Sequence, residues 1–152
     1  MDNSERIEFV ISEFRKADIN IDENQADKFV RLCDFMVEYN ENVNLTSITE
    51  FSEVVVKHFV DSVLPFTMVD IPQGSSFIDV GTGAGFPAIP LLICRPDLKG
   101  TLCDSLNKRC IYLEKACELI GVKSEIIHAR SEELGRKKRE CFDFATARAV
   151  AA

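Results

Sequence analysis

In the first 70 residues apolar positions recur at the spacing of a helix face. Ile7, Val10, Ile11 and Phe14 make one stripe, and Ala26, Phe29, Val30, Cys33, Met36 and Val37 make a second. Asp22 stands before the second stripe with Gln25 three residues on, the spacing of a reciprocal N-terminal cap. Asn40 to Asn44 breaks the period, and Ser47 with Glu50 offers a further helix start leading into Phe51, Val54, Val55 and His58. The turn-forming run Asp70-Ile71-Pro72-Gln73-Gly74 then changes the pattern. Ser76 to Val80 reads as a buried strand, with a glycine loop over 81–85 and a helix from about Phe86 to Cys94 whose first turn accommodates Pro87 and Pro90. Gly100 to Asp104 is a second strand, Asn107 to Ile120 a helix stopped by Gly121, and Lys123 to His128 a third strand. Glu132 to Lys138 is a short helix and Phe142 to Val150 a fourth strand. This alternation predicts an α/β, Rossmann-like unit over residues 71–152, a parallel sheet with helices on both faces. A helical region over residues 1–70 precedes it. With nothing after the fourth strand to cover it, the sheet is expected to be incomplete.

Composition narrows the function classes. The chain has 152 residues, 46% hydrophobic and 28% charged, which fits one packed domain and argues against disorder. No apolar run approaches a membrane span, and the polar, acidic start does not resemble a secretory or transit signal, so a cytoplasmic protein is expected. The six cysteines include no Cys-x-x-Cys pair, so reduced thiols are expected, with no metal site and no disulfide framework. Net charge is −7, which argues against coating nucleic acid through bulk charge. Residues 1–70 carry 6 basic and 15 acidic side chains, whereas residues 71–152 carry 12 and 10, so a local basic face on the second half stays open.

The chemistry concentrates in Asp79-Val80-Gly81-Thr82-Gly83-Ala84-Gly85-Phe86, between a strand and a helix. Three alternating glycines let backbone approach a ligand closely. The spacing departs from the Gly-x-Gly-x-x-Gly of dinucleotide sites, and two prolines remove donors from the helix start that would hold a pyrophosphate. Asp79 beside the loop favours a cationic ligand, and S-adenosyl-L-methionine carries a sulfonium and an ammonium. Asp104, ending the second strand 19 residues beyond Gly85, is placed to accept hydrogen bonds from ribose hydroxyls; the alternative is a helix cap. His58 and Asp61 are candidate functional residues, although a helical histidine on an apolar face, like His128 at a strand end, reads first as a packed residue. Arg136-Lys137-Lys138-Arg139 reads first as a solvated helix end and second as a contact to RNA phosphates.

Several blocks in order then resemble one family over nearly the whole chain: the bacterial small-subunit ribosomal RNA guanine-N7 methyltransferases, also called the glucose-inhibited division protein B family. The blocks are Tyr39-Asn40 with Asn44-Leu45-Thr46; His58-Phe59-Val60-Asp61-Ser62; the glycine loop through Pro87 with Ile89-Pro90-Leu91; Asp104-Ser105-Leu106 with Lys108-Arg109; Arg130-Ser131-Glu132-Glu133; and Arg148-Ala149-Val150-Ala151. Ala88 and Ser131 depart mildly from that pattern. The resemblance implies an S-adenosyl-L-methionine cofactor lined by Gly81 and Phe86, a loop shaped by Gly83 and Gly85, and a ribose held by Asp104. It implies adenine contacts at Ser131 and Glu132, and Arg148 pointing into the site, against a surface pairing of Arg148 with Asp143 or Glu140. Small-subunit ribosomal RNA, or the small ribosomal subunit, is the implied partner. The family's sheet has seven strands and this chain supplies four, so weak cofactor binding and no methylation by this chain alone are expected. A methyltransferase of another substrate class, a nicotinamide-dependent oxidoreductase and a non-catalytic binding module remain alternatives.

Overall fold

The computed structural model describes residues 1–130 and 141–147. Helix α1 (Asn3–Lys16) starts where the Asp2 carboxylate accepts the Glu5 amide, and α2 (Glu23–Tyr39) where Asp22 and Gln25 cap each other reciprocally. Asn40 ends α2 by folding the next segment onto itself. Its Oδ1 accepts the Leu45 and Thr46 amides at 2.8 and 3.0 Å, and its Nδ2 donates to the Thr46 carbonyl at 2.9 Å.

The next helical run differs from the regular helix expected from Ser47. Its N-cap is Glu50, whose carboxylate accepts the Ser52 and Glu53 amides and so satisfies two donors that a helix start leaves open. Only α3 (Phe51–Val54) is α-helical before the run widens into a π-helix over Val55–Val60. It resumes as α4 (Asp61–Val63) and tightens into a 3-10 turn, Leu64–Thr67. Val54, Val55 and Val56 are β-branched and weak helix formers at this point. The wide turns bury Val55, His58, Phe59 and Val60 together.

Strands β1 (Ser76–Val80), β2 (Lys99–Asp104), β3 (Ser124–His128) and β4 (Phe144–Thr146) form a parallel sheet in the order β3-β2-β1-β4. Phe77 pairs with Gly100 and Phe144, and Asp79 with Leu102 and Thr146. Between strands lie α5 (Ala88–Cys94) and α6 (Asn107–Ile120), the latter closed by left-handed Gly121. The helix expected from Phe86 thus begins two residues later. Gly85 and Phe86 both donate to the Thr82 carbonyl, which keeps the chain in a tight turn until Pro87, and only Pro90 sits in the first helical turn.

Strand alternation sorts the sheet into two faces. Phe77, Leu102, Ile126 and Phe144 face α5, α6 and the N-terminal helices, and one apolar core runs through all of them. Phe29 sits in that core between Phe14 and Phe59, each ring centroid 4.9 Å away. Gly100 lets β2 pass under the helices, since a Cβ there would lie 2.8 Å from Leu92 and 3.0 Å from the Phe77 ring. The other face carries a small cluster of Ile78 and Cys103 with Val80, Ile127, Ala129 and Phe142. Every described helix packs on the first face; the helix expected over Glu132–Lys138 lies outside the described residues, as do Val150 and its neighbours in the expected fourth strand. Among the described residues no helix is long and apolar enough to cross a membrane.

Candidate cofactor site

The loop after β1 is built by side chains beneath it. Asp79 is fully buried, and its Oδ2 accepts the Thr82 hydroxyl at 2.7 Å and the Ala88 amide at 3.3 Å. The Thr82 amide donates to the Cys103 carbonyl at 3.0 Å, tying the loop to the end of β2. Asp79 therefore braces the turn from beneath, with the Thr82 hydroxyl and the Ala88 amide both meeting its Oδ2.

The three glycines divide the work. Gly81, Gly83 and Gly85 all have positive φ, at 66°, 61° and 97°. A Cβ on Gly81 or Gly83 would meet no atom within 4 Å, whereas one on Gly85 would lie 2.4 Å from Ile89 Cδ1 and 3.1 Å from Leu113. Gly85 is needed so that the loop can pack on α5 and α6. Gly81 and Gly83 are needed for the turn itself, and their outer side is open space that a ligand can approach.

Asp104 is buried and engaged at both oxygens. Oδ2 accepts the Gly83 amide at 2.9 Å and Oδ1 the Leu106 amide at 2.9 Å. It thus fastens the loop through one oxygen and the turn that leads into α6 through the other. Each oxygen keeps a further lone pair for a ligand hydroxyl. Arg109, half-buried on α6, places Nη1 3.8 Å from Asp104 Oδ1 and donates through Nη2 to the Asn44 carbonyl at 3.4 Å. It joins the N-terminal region to the carboxylate; Lys108 beside it is exposed.

Phe86 is buried rather than open, its ring stacked on the His58 imidazole with centroids 4.7 Å apart and planes 20° from parallel. His58 Nε2 lies 2.7 Å from Thr46 Oγ1, which also accepts the Ile48 amide at 3.0 Å. The chain of contacts Asn40, Thr46, His58, Phe86 runs from the end of α2 to the base of the loop. Thr46 as the partner of His58 was invisible in the sequence, because the contact depends on the fold that Asn40 imposes.

The family model described as rRNA small subunit methyltransferase G matches residues 25–152. The ribosomal RNA small subunit methyltransferase G of Clostridium perfringens strain 13 is 46% identical over 136 residues, covering 88% of this chain and 57% of that protein. The corresponding protein of Bacillus subtilis strain 168 is 45% identical over 148 residues, covering 95% of this chain and 62% of its own length. This chain belongs to the rRNA small subunit methyltransferase G family. It spans about three fifths of the length of these curated relatives. The fold agrees with a solved structure from Plasmodium falciparum, described as a protein-L-isoaspartate O-methyltransferase in complex with S-adenosyl-L-homocysteine. That match has TM-score 0.58 and 14% identity, and covers 96% of this chain and 74% of that one.

Of the residues that carry the family resemblance, Asp79, Gly81, Gly83, Gly85, Phe86 and Asp104 converge at the carboxyl ends of β1 and β2. Ser131, Glu132, Arg148 and the run Arg136 to Arg139 lie outside the described residues. Asp143, named in the sequence as a possible surface partner of Arg148, accepts the Ser76 amide at 2.7 Å. His128 Nε2 donates to the Ser105 carbonyl at 3.0 Å and lies on the surface, which fits a structural histidine.

Proposed function

We propose that this chain is the cofactor-binding part of an S-adenosyl-L-methionine-dependent enzyme that methylates guanine N7 in small-subunit ribosomal RNA. The observation that carries the reading is the tether between Asp104 and Gly83, which holds an open-sided glycine turn against a carboxylate at the mouth of the sheet. The residues fit the cofactor. The outer sides of Gly81 and Gly83 leave room for an adenosine, and the spare lone pairs of Asp104 suit ribose hydroxyls.

A nicotinamide dinucleotide fits poorly. At the start of α5 the Ala88 amide is spent on Asp79 Oδ2 and the Ile89 amide on the Gly85 carbonyl, and Pro87 and Pro90 have none to give. A pyrophosphate would meet no open donor there.

Bound S-adenosyl-L-methionine supplies an electrophilic methyl group. Guanine N7 carries a lone pair at neutral pH, so the protein's task is to hold nucleophile and methyl in line rather than to remove a proton. The glycine turn, Asp104 and the Phe86 stack would fix that geometry. In A-form RNA N7 lies in a deep, narrow groove, so the target base belongs to a loop or an opened segment. The family relatives, named for the small-subunit ribosomal RNA, support that substrate.

Calorimetric titration of the chain with S-adenosyl-L-homocysteine and, in parallel, with NAD tests the reading. Saturable binding of the first, abolished in Asp104→Ala, is expected; binding of NAD alone would overturn it.

A further inference from the structure

A cleft of about 360 Å³ opens beside the cofactor loop, lined by Asp61, Ser62, Phe66, Pro87 and Thr146. Its place is informative. The strand order β3-β2-β1-β4 reverses direction between β1 and β4, and the cleft lies at their carboxyl ends, the point where open α/β sheets bind ligands. The glycine loop is tied to the β2 side of β1 through Thr82 and Gly83. The cleft occupies the other side, against Pro87, which directly follows the loop and Phe86.

The lining has the composition of a built site. Thr146 is 8% exposed, and its Oγ1 is buried with no hydrogen-bond partner among the described residues. An unmet buried hydroxyl is costly to keep, so a group placed there to answer a ligand is a better account than idle polarity. Asp61 contributes an exposed carboxylate at the rim. Ser62 uses its proton on the His58 carbonyl and keeps its oxygen as an acceptor. Phe66, half-buried and 6.2 Å from the Phe144 ring, and Pro87 give flat apolar walls.

We infer that this cleft receives the acceptor base, a guanine, with Asp61 reading its N1–H and N2 amino donors. The inference rests on the methyltransferase reading above and names where its substrate sits. An ionised carboxylate only accepts, and in a bidentate pose it matches two adjacent N–H groups. Guanine presents such a pair, whereas adenine turns a lone pair at N1 toward the same oxygens and is repelled. Reading the Watson–Crick edge leaves N7, on the far edge of the purine, facing away from Asp61. Flat walls suit an unstacked base, the form in which RNA is recognised by its edges.

The test uses guanosine 5′-monophosphate and adenosine 5′-monophosphate, titrated separately into the 152-residue chain, with amide shifts followed by NMR and S-adenosyl-L-homocysteine titrated as a third arm. Expected are shifts confined to Asp61, Ser62, Phe66 and Thr146, and a preference of about tenfold or more for the guanine nucleotide. Asp61→Asn should weaken the guanine nucleotide by about tenfold and remove the preference, and Thr146→Val should weaken both nucleotides. Equal affinity for the two nucleotides, indifference to Asp61→Asn, shifts elsewhere, or no nucleotide binding would each overturn the acceptor site. If any of these occurs while S-adenosyl-L-homocysteine still binds, the cofactor reading survives; if the homocysteine also fails to bind, both fall.

Discussion

The His58 imidazole lies flat against the Phe86 ring at 4.7 Å and is held there from its other edge by the Thr46 hydroxyl. His58→Phe keeps the stack and loses the hydrogen bond, while His58→Ala loses both. An aromatic pair and a net hydrogen bond are each worth about 1 kcal/mol. Urea denaturation should therefore place His58→Phe about 1 kcal/mol below the parent and His58→Ala about 2 kcal/mol or more below it. Equal losses would show that the stack contributes nothing.

The glycine loop separates folding from binding in one pair of substitutions. Gly85→Ala meets Ile89 and Leu113 at a positive φ, so overpacking and the left-handed backbone should together cost about 3 kcal/mol. Gly83→Ala meets nothing and should cost about 1 kcal/mol from its φ alone. Its new methyl group nevertheless projects into the open space where the proposed function puts the nucleoside. A chain that melts almost normally yet binds S-adenosyl-L-homocysteine at least about tenfold more weakly is the expected result for Gly83→Ala.

Much of this arrangement was legible in the residues themselves. The cap formed by Asp22 and Gln25, the buried strand Ser76 to Val80 and the Gly121 stop are local devices whose chemistry is complete within a few residues. The widened turns at Val55–Val60 were not legible, because a π-helix keeps the same apolar residues as an α-helix and only the long-range packing of His58 and Phe59 decides between them. The bonds of Asp79 to Thr82 and Ala88 were not legible either, because spacing cannot tell which groups a strand-end side chain meets. The cleft at Thr146 joins residues 61–66 to 145–147, a juxtaposition that no local pattern announces.

Acid should loosen one particular corner of the fold. Asp97 bonds to Arg95 and accepts the Gly74 amide, and these contacts, the Arg95 bond foremost, hold its carboxyl well below its ordinary value. A depressed acid adds stability above its unfolded value, near 4, and loses that contribution as pH falls toward the folded one. The gap in urea midpoint between the parent and Asp97→Asn should be constant from about pH 5 upward and close below about pH 4. A gap that does not change with pH would show that the carboxylate's charge is irrelevant.

Thiol chemistry should mark the exposed end of the described chain. Burial pushes Cys33 and Cys94 up to about 12, and Cys103, Cys110 and Cys117 are buried as well. Cys141 is exposed. Iodoacetamide at pH 8 should modify Cys141 in the native protein well before the other five, with all six reacting in urea; mass spectrometry of tryptic peptides would identify the site. Early modification of Cys33 or Cys117 would contradict the packing of α2 against α6.

The continuity of the apolar interior from Val10 on α1 to Ile120 on α6 has a consequence for how the parts depend on one another. The strands that carry the glycine turn have no private interior of their own on that side: Phe77 and Leu102 share theirs with Phe14, Phe29 and Phe59. Excising the first 70 residues would lay a greasy flank bare and dissolve the platform on which Gly83 meets Asp104, so the opening helices serve as the foundation of the ligand cradle as much as an appendage to it.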